Sequence, residues 1–166
     1  DLKNFGFVDE ITVAAAGING KMSEINAAFG LLQLQGIDDA LSKRQQVDAR
    51  YRAGLKNVTG IRLSNVGSHV SNYAYFPIFI EKNRDALYEH LKANNIFGRR
   101  YFYPLISDFP MYRGLPSANG ANLPVAKKTA NEVICLPMYP HLSNEEIDLI
   151  ISLITDFQTQ ENTKHK

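Results

Sequence analysis

Two short segments of this 166-residue sequence join residue types that could do chemistry. In Gly17-Ile18-Asn19-Gly20-Lys21 a carboxamide and an ammonium sit among glycines, just ahead of an apolar helical pattern. Glycines permit a tight turn, and a turn that feeds a helix aims side-chain and backbone N–H groups at an anion. Read from the residues alone, such a bend is far more often just a turn. The second segment, Arg99-Arg100-Tyr101-Phe102-Tyr103, sets cations beside aromatics. On a strand such a run could stack bases as an RNA-recognition sheet does. In the plainer alternative Phe102 packs inward while Tyr101 and Tyr103 face solvent or an adjoining domain. With 18 Lys+Arg against 17 Asp+Glu, the net charge of +1 weighs against nucleic acid, because such modules carry a basic excess.

Other chemistry-bearing residues have structural explanations. There is no Gly-x-Ser-x-Gly elbow, and the single cysteine, Cys135, sits in an apolar run where a thiol is a small core residue. His69, His90, His141 and His165 are scattered without zinc spacing, so no metal site is expected. Glu145-Glu146 follows Ser143 as a capping box, and Asp38-Asp39 opens a helix whose dipole favours negative charge. One cysteine allows no internal disulfide, which points to a reducing, cytoplasmic setting. No apolar stretch reaches the ~20 residues that span a bilayer, and no signal peptide precedes the first helix. Asp1-Leu2-Lys3-Asn4-Phe5-Gly6-Phe7, without an initiator Met, reads as the interior of a longer chain.

The elements that must position these residues follow from periodicity. Met22, Ile25, Phe29 and Leu32 recur at spacings of three and four, with Ser23 as N-cap and Gly36 as a kink or end. Ile37, Leu41, Tyr51 and Leu55 continue the helical pattern, and 57–60 reads as a domain boundary. Tyr73 to Ile80 is a predicted strand with Pro77 at an edge or bulge; Asn83 caps a short helix ending at Asn94-Asn95. Ile96 to Tyr103 is a second predicted strand, ended by Pro104. A loop over 104–123 is long enough to suggest function. Pro124 starts a helix, Cys135 to Tyr139 is a short apolar run, and a last helix over Ile147–Phe157 leaves a polar, frayed tail. The sum is an α/β domain, helices on a small sheet, preceded by a long helical arm. Nothing in the pattern covers Met22, Ile25 and Phe29, so a missing domain or partner subunit is expected there.

Gly17 to Leu34 (GINGKMSEINAAFGLLQL), followed by an arginine-bearing helix to Tyr51, closely resembles a signature of the DegT/StrS-type nucleotide-sugar aminotransferases, pyridoxal-phosphate enzymes of fold type I. Asn4-Phe5-Gly6 fits the family's lead-in to that motif. Arg99 to Arg113 (RRYFYPLISDFPMYR), Leu123-Pro124-Val125-Ala126 and Cys135-Leu136-Pro137-Met138-Tyr139 are similar to the family's C-terminal half in the same order. The resemblance runs from about Asn4 to Phe157 and implies that residues 1–57 end the large cofactor domain and its connecting helices. It implies that 58–158 form the C-terminal small α/β domain, and that 159–166 are a polar tail.

The resemblance also implies the C-terminal portion of an enzyme, in deoxysugar pathways such as O-antigen synthesis. That enzyme moves an amino group, usually from glutamate, to a nucleotide-linked keto-deoxysugar with pyridoxal 5'-phosphate as cofactor. The Schiff-base lysine would lie upstream, so no catalytic residue is assigned here and the chain alone is expected to be inactive. In relatives the motif asparagine bonds the cofactor phosphate of the other subunit, which implies a homodimer and falls on Asn19. Lys21 stands where many relatives carry Arg; it keeps the charge but loses the bidentate fork. Arg100, Tyr101 and Tyr103 would touch the sugar nucleotide, the arginine near a diphosphate oxygen. Pro104-Leu105-Ile106-Ser107 lacks the histidine that many members place after the Pro-Leu pair. Two other readings stand beside this one. The first is a pyridoxamine-phosphate-dependent sugar dehydratase of the same fold, with histidine for the lysine. The second is a stand-alone RNA-binding α/β module.

Overall fold

A computed structural model describes residues 3–65 and 71–164; His69 and His165 lie outside the described residues. The chain forms two compact units, Asp1–Asp39 and Ala40–Lys166.

In the first unit residues 3–20 double back on themselves. Asn4 pairs with Asn19 and Phe7 with Val13 as antiparallel bridges. The Gly20 N–H donates to Lys3 O at 2.8 Å and the Phe5 N–H to Ile18 O at 3.0 Å. Gly6 is required: its φ is +85°, and a Cβ would fall 1.7 Å from the Ala15 carbonyl oxygen. Asp9 closes the tip by accepting from the N–H groups of Ile11 (2.9 Å) and Thr12 (2.7 Å), and these bonds, the Ile11 amide first, hold its carboxyl below the usual range. Helix α1 (Glu24–Gln35) follows, with Ser23 Oγ accepting from the Asn26 N–H at 3.3 Å and Gly36 ending it. As expected, the Met22–Ile25–Phe29–Leu32 face is uncovered; Leu31 and Leu34 on the other side are exposed as well, and α1 buries no residue.

The second unit is built on a three-stranded antiparallel sheet of β1 (Ile61–Leu63), β2 (Phe76–Ile80) and β3 (Val133–Leu136), in the order β1-β2-β3. The two-residue period of β2 buries Phe76, Ile78 and Ile80 and leaves Pro77 and Phe79 half-buried. Helices α2 (Ile37–Leu55), α3 (Arg84–Ala93) and α5 (Asn144–Lys164) supply Tyr51, Leu55, Leu87, Leu91, Ile147, Ile150 and Ile154 to one core. Each fully buried isoleucine there contributes about 1.5–3 kcal/mol. The Tyr51 ring lies 4.9 Å from that of Phe76 and its hydroxyl donates to Pro137 O at 3.2 Å; burial raises its pKa. Helix α4 (Pro124–Glu132) starts on proline as expected, and the capping box of α5 closes, with the Ser143 N–H donating to Glu146 (2.8 Å) and the Glu146 N–H to Ser143 Oγ (3.2 Å).

Several expectations change. Most of α2 packs with the second unit, burying Val47, Tyr51 and Leu55 in its core. Strand β1 has too few residues for a legible period, and the sequence reading missed it. Pro77 lies on the central strand; it is tolerated one residue past the β1 pairing, which ends at Ile78, so β2 lacks a β1 partner there. Ile96 to Tyr103 is not a strand. One bridge joins Arg99 to Cys135, and the chain then turns back, the Tyr103 N–H donating to Arg100 O at 2.7 Å. Asn83 occupies the N-cap position of α3 without a side-chain cap, its amide donating instead to Glu161. The tail is helical to Lys164, anchored by the buried Gln158. The loop over 104–123 is punctuated by three single-turn 3-10 helices, Ile106–Asp108, Pro116–Ala118 and Gly120–Asn122.

Candidate functional site

In the first unit Asn19 sits on the returning arm of the doubled-back segment, where an isolated antiparallel bridge joins it to Asn4. Its side chain is exposed and makes no hydrogen bond to another described residue. Gly20 cannot be enlarged freely, since a Cβ would stand 2.9 Å from Lys3 Cβ. Lys21 is exposed, with its ammonium 6.0 Å from the Phe5 ring centroid. A neutral amide donor and a cation two residues apart suit an anion such as a phosphate ester.

In the second unit the Arg100 guanidinium is held on several sides. Its Nη1 donates to Asp85 Oδ1 at 2.8 Å, and it lies 4.4 Å from the Tyr88 ring centroid and 5.4 Å from that of Tyr103. Arg84 approaches the other side of this group. It is 5% exposed, donates from Nη1 to Ala130 O and Val133 O at 3.2 Å each, and stands 4.5 Å from the Tyr103 centroid. Arg84 Nε is 2.9 Å from Asp85 Oδ1, an ion pair without the alignment of a hydrogen bond. Burial lowers the Arg84 pKa and the Asp85 carboxylate opposes that shift. Tyr103 is thus flanked by two cations, and Asp85 bridges them.

Tyr101 meets Tyr75 edge-on at 5.6 Å and stacks on Phe102 at 4.8 Å. Phe102 is 71% exposed and shares two adjoining apolar grooves with Leu105, Leu123 and Ala126. The grooves measure about 590 and 460 Å³; Tyr101 lines the first, and Tyr103 and Ser107 the second. The RNA platform required an extended strand through Tyr101 and Tyr103; the turn at 100–103 removes it. The structure therefore brings Arg100 and Tyr103 into direct contact and seats Tyr101 beside them, facing a groove rather than a flat sheet.

Sequence reasoning missed Arg84, Asp85 and Tyr88. The signal was present: Arg84, Leu87 and Leu91 repeat at helical spacing, which sets a cation on the apolar stripe of α3. Cys135 is buried as expected, and burial raises its thiol pKa. His90 packs its ring against Phe157 at 5.4 Å, and His141 is exposed. Among the described residues no cluster of three or more His, Cys, Asp or Glu could hold a metal ion, and no helix is long and apolar enough to cross a membrane.

A model of the DegT/DnrJ/EryC1/StrS aminotransferase family matches residues 1–155. The chain is 54% identical over 159 residues to dTDP-4-amino-4,6-dideoxy-D-glucose transaminase of Escherichia coli, an alignment covering 92% of this chain and 43% of that protein. It is 44% identical over 162 residues to the Shigella dysenteriae transaminase of the same name, covering 95% and 44%. Among solved structures it is similar to DesI crystallised in the presence of its TDP-sugar product, with a TM-score of 0.82 at 29% identity over 99% of this chain and 43% of that one. DesV of S. venezuelae gives 0.83 at 28% identity, covering 95% and 42%. The chain spans somewhat over two fifths of the length of these relatives.

Proposed function

Because the chain belongs to the DegT/DnrJ/EryC1/StrS aminotransferase family, we propose that the protein it comes from is a pyridoxal-phosphate-dependent sugar aminotransferase. The match over residues 1–155 carries this reading. The two transaminases of one name at 54% and 44% identity narrow the proposed substrate to the 4-keto precursor of a dTDP-linked 4-amino-4,6-dideoxyhexose; glutamate is proposed as the donor. Residues 58–158 are proposed as the small domain of the enzyme, 1–57 as the end of the large domain with its connecting helices, and the working form as a cytoplasmic homodimer.

When bound, the cofactor supplies the electron sink and the nitrogen carrier. This chain's part is to hold and to enclose. Asn19 would donate a neutral N–H to the cofactor phosphate of the neighbouring protomer, and Lys21 would add charge without a bidentate fork. The Asn19 carboxamide, exposed and without a hydrogen-bond partner among the described residues, supports that role. Arg100, Tyr101 and Tyr103 border the sugar nucleotide, the arginine toward a diphosphate oxygen. The apolar walls at Phe102, Leu105 and Leu123 keep water from the sugar. The proton-transferring residue belongs to the rest of the enzyme.

The test uses the full-length protein. Incubation with glutamate and the dTDP-linked 4-keto sugar should give an aminated product by mass spectrometry; deoxygenation without amine transfer would point to the dehydratase chemistry instead. Asn19→Ala should weaken pyridoxal-phosphate retention about 10- to 100-fold, the worth of one hydrogen bond to a charged group. Unchanged cofactor affinity in a folded variant overturns the assignment of Asn19.

A further inference from the structure

Arg100 carries a long side chain on a turn, yet its orientation is specified by three neighbours. Asp85 Oδ1 takes its Nη1 at 2.8 Å, and the Tyr88 and Tyr103 rings lie near its guanidinium at 4.4 and 5.4 Å. Asp85 is itself 63% exposed, and a carboxylate so open to water would ordinarily swing among rotamers. It is restrained by Arg84, whose Nε stands 2.9 Å from the same Oδ1. Arg84 is immobile for separate reasons: it is 5% exposed, and its Nη1 is committed to the carbonyls of Ala130 and Val133. The chain of restraint runs from the junction of α4 and β3, through a buried cation, to a surface carboxylate and on to Arg100.

Two features suggest that this order serves recognition rather than stability alone. The group holds two cations against one carboxylate, so positive charge remains in excess. Arg100 is still one-third exposed, and Asp85 occupies only Nη1 of its five-donor fork. We propose that Asp85, braced by Arg84, is the positioning residue that fixes Arg100 so that its open N–H edge receives an oxygen of the substrate's diphosphate. This deepens the reading of Arg100 given above and rests on it. These contacts all come from the protein itself, so the fold meets part of the ordering cost of a flexible arginine.

The test measures thymidine diphosphate affinity by calorimetry, with steady-state KM and kcat, on full-length holoenzyme. Asp85→Ala frees Arg100 and should raise the thymidine diphosphate Kd and the sugar-nucleotide KM about 3- to 10-fold, the cost of immobilising one rotamer-rich side chain. The kcat, the KM for glutamate and cofactor retention should stay within about twofold. Asp85→Asn keeps an acceptor oxygen and should fall between wild type and Asp85→Ala; it also serves if the alanine variant folds poorly. In an Arg100→Ala background Asp85→Ala should add nothing. The inference is overturned if Asp85→Ala leaves the Kd and KM unchanged while Arg100→Ala raises them, or if Asp85→Ala harms glutamate KM and cofactor retention equally. If Arg100→Ala itself leaves thymidine diphosphate affinity unchanged, the substrate role of Arg100 fails first and takes the inference with it.

Discussion

Substituting Gly54 of α2 by alanine sets two opposing effects against each other. Alanine is favoured over glycine inside a helix by about 1 kcal/mol, so the change should stabilise an open helical position. Here a Cβ would lie 2.7 Å from Cδ1, 2.9 Å from Cγ2 and 3.2 Å from Cγ1 of Ile151 on α5. Carbon atoms prefer roughly 3.5–4.0 Å. Rotating χ2 moves Cδ1 away, but Cγ1 and Cγ2 are set by the stiff χ1 of a β-branched residue. The helices must therefore separate or Ile151 must leave its rotamer, although the paired Arg50 and Asp148 tie the same two helices at 2.8 and 2.6 Å. Overpacking of this kind costs about 1–3 kcal/mol. The net expectation is a loss of about 1 kcal/mol, or a fall of ~2–4 °C in the unfolding midpoint. With Ile151→Ala present, Cγ1, Cγ2 and Cδ1 are gone, and Gly54→Ala should raise stability instead. Thermal unfolding of the four members of that cycle gives the coupling directly. An equal gain from Gly54→Ala in both backgrounds would refute the close approach.

Two further outcomes can be checked on the same chain. Hydrogen bonds from the Ser143 backbone, then its side chain, hold the Glu146 carboxyl below its usual range. A depressed carboxyl stabilises the native state fully above the unfolded value of ~4.3, and that contribution disappears as pH falls through the lower native value. The stability gap between wild type and Glu146→Gln, followed by unfolding midpoint against pH, should thus be constant near neutrality and close in acid. Cys135, buried and with its thiol pKa raised by burial, should react with iodoacetamide at least about 100-fold more slowly than after unfolding in urea, by mass spectrometry. Equal rates would mean that the β3 edge opens readily.

Legibility tracked how many residues carried each signal. Helices α1 and α5 announced themselves through runs of apolar residues and through Ser23 and Ser143, each of which caps as its type predicts. The short β1 has too few residues to show a period, and its existence depends on the β2 partner at Ile78–Ile80. The predicted strand through Arg99–Tyr103 had the right composition, but only Arg99 finds a partner across from Cys135. Composition records what could pair; register with a distant segment decides what does. The hairpin holding Asn19 was visible only as a glycine-marked bend, because its pairing with Asn4 joins residues with no shared pattern.

Arg84 shows why such failures are informative. A cation at the start of the Leu87–Leu91 stripe contradicts the apolar period of α3, and burial penalises its charge. A chain under selection for stability alone would gain from an apolar residue of similar volume there, since buried ion pairs rarely outperform good packing. Arg84 instead takes the carbonyls of Ala130 and Val133, flanks Tyr103 and restrains Asp85. Each of these contacts leads toward Arg100 and the groove at Phe102. A residue that breaks the local rule while its polar partners all lie along one surface is better explained by the order it imposes on that surface than by its packing in the core beneath.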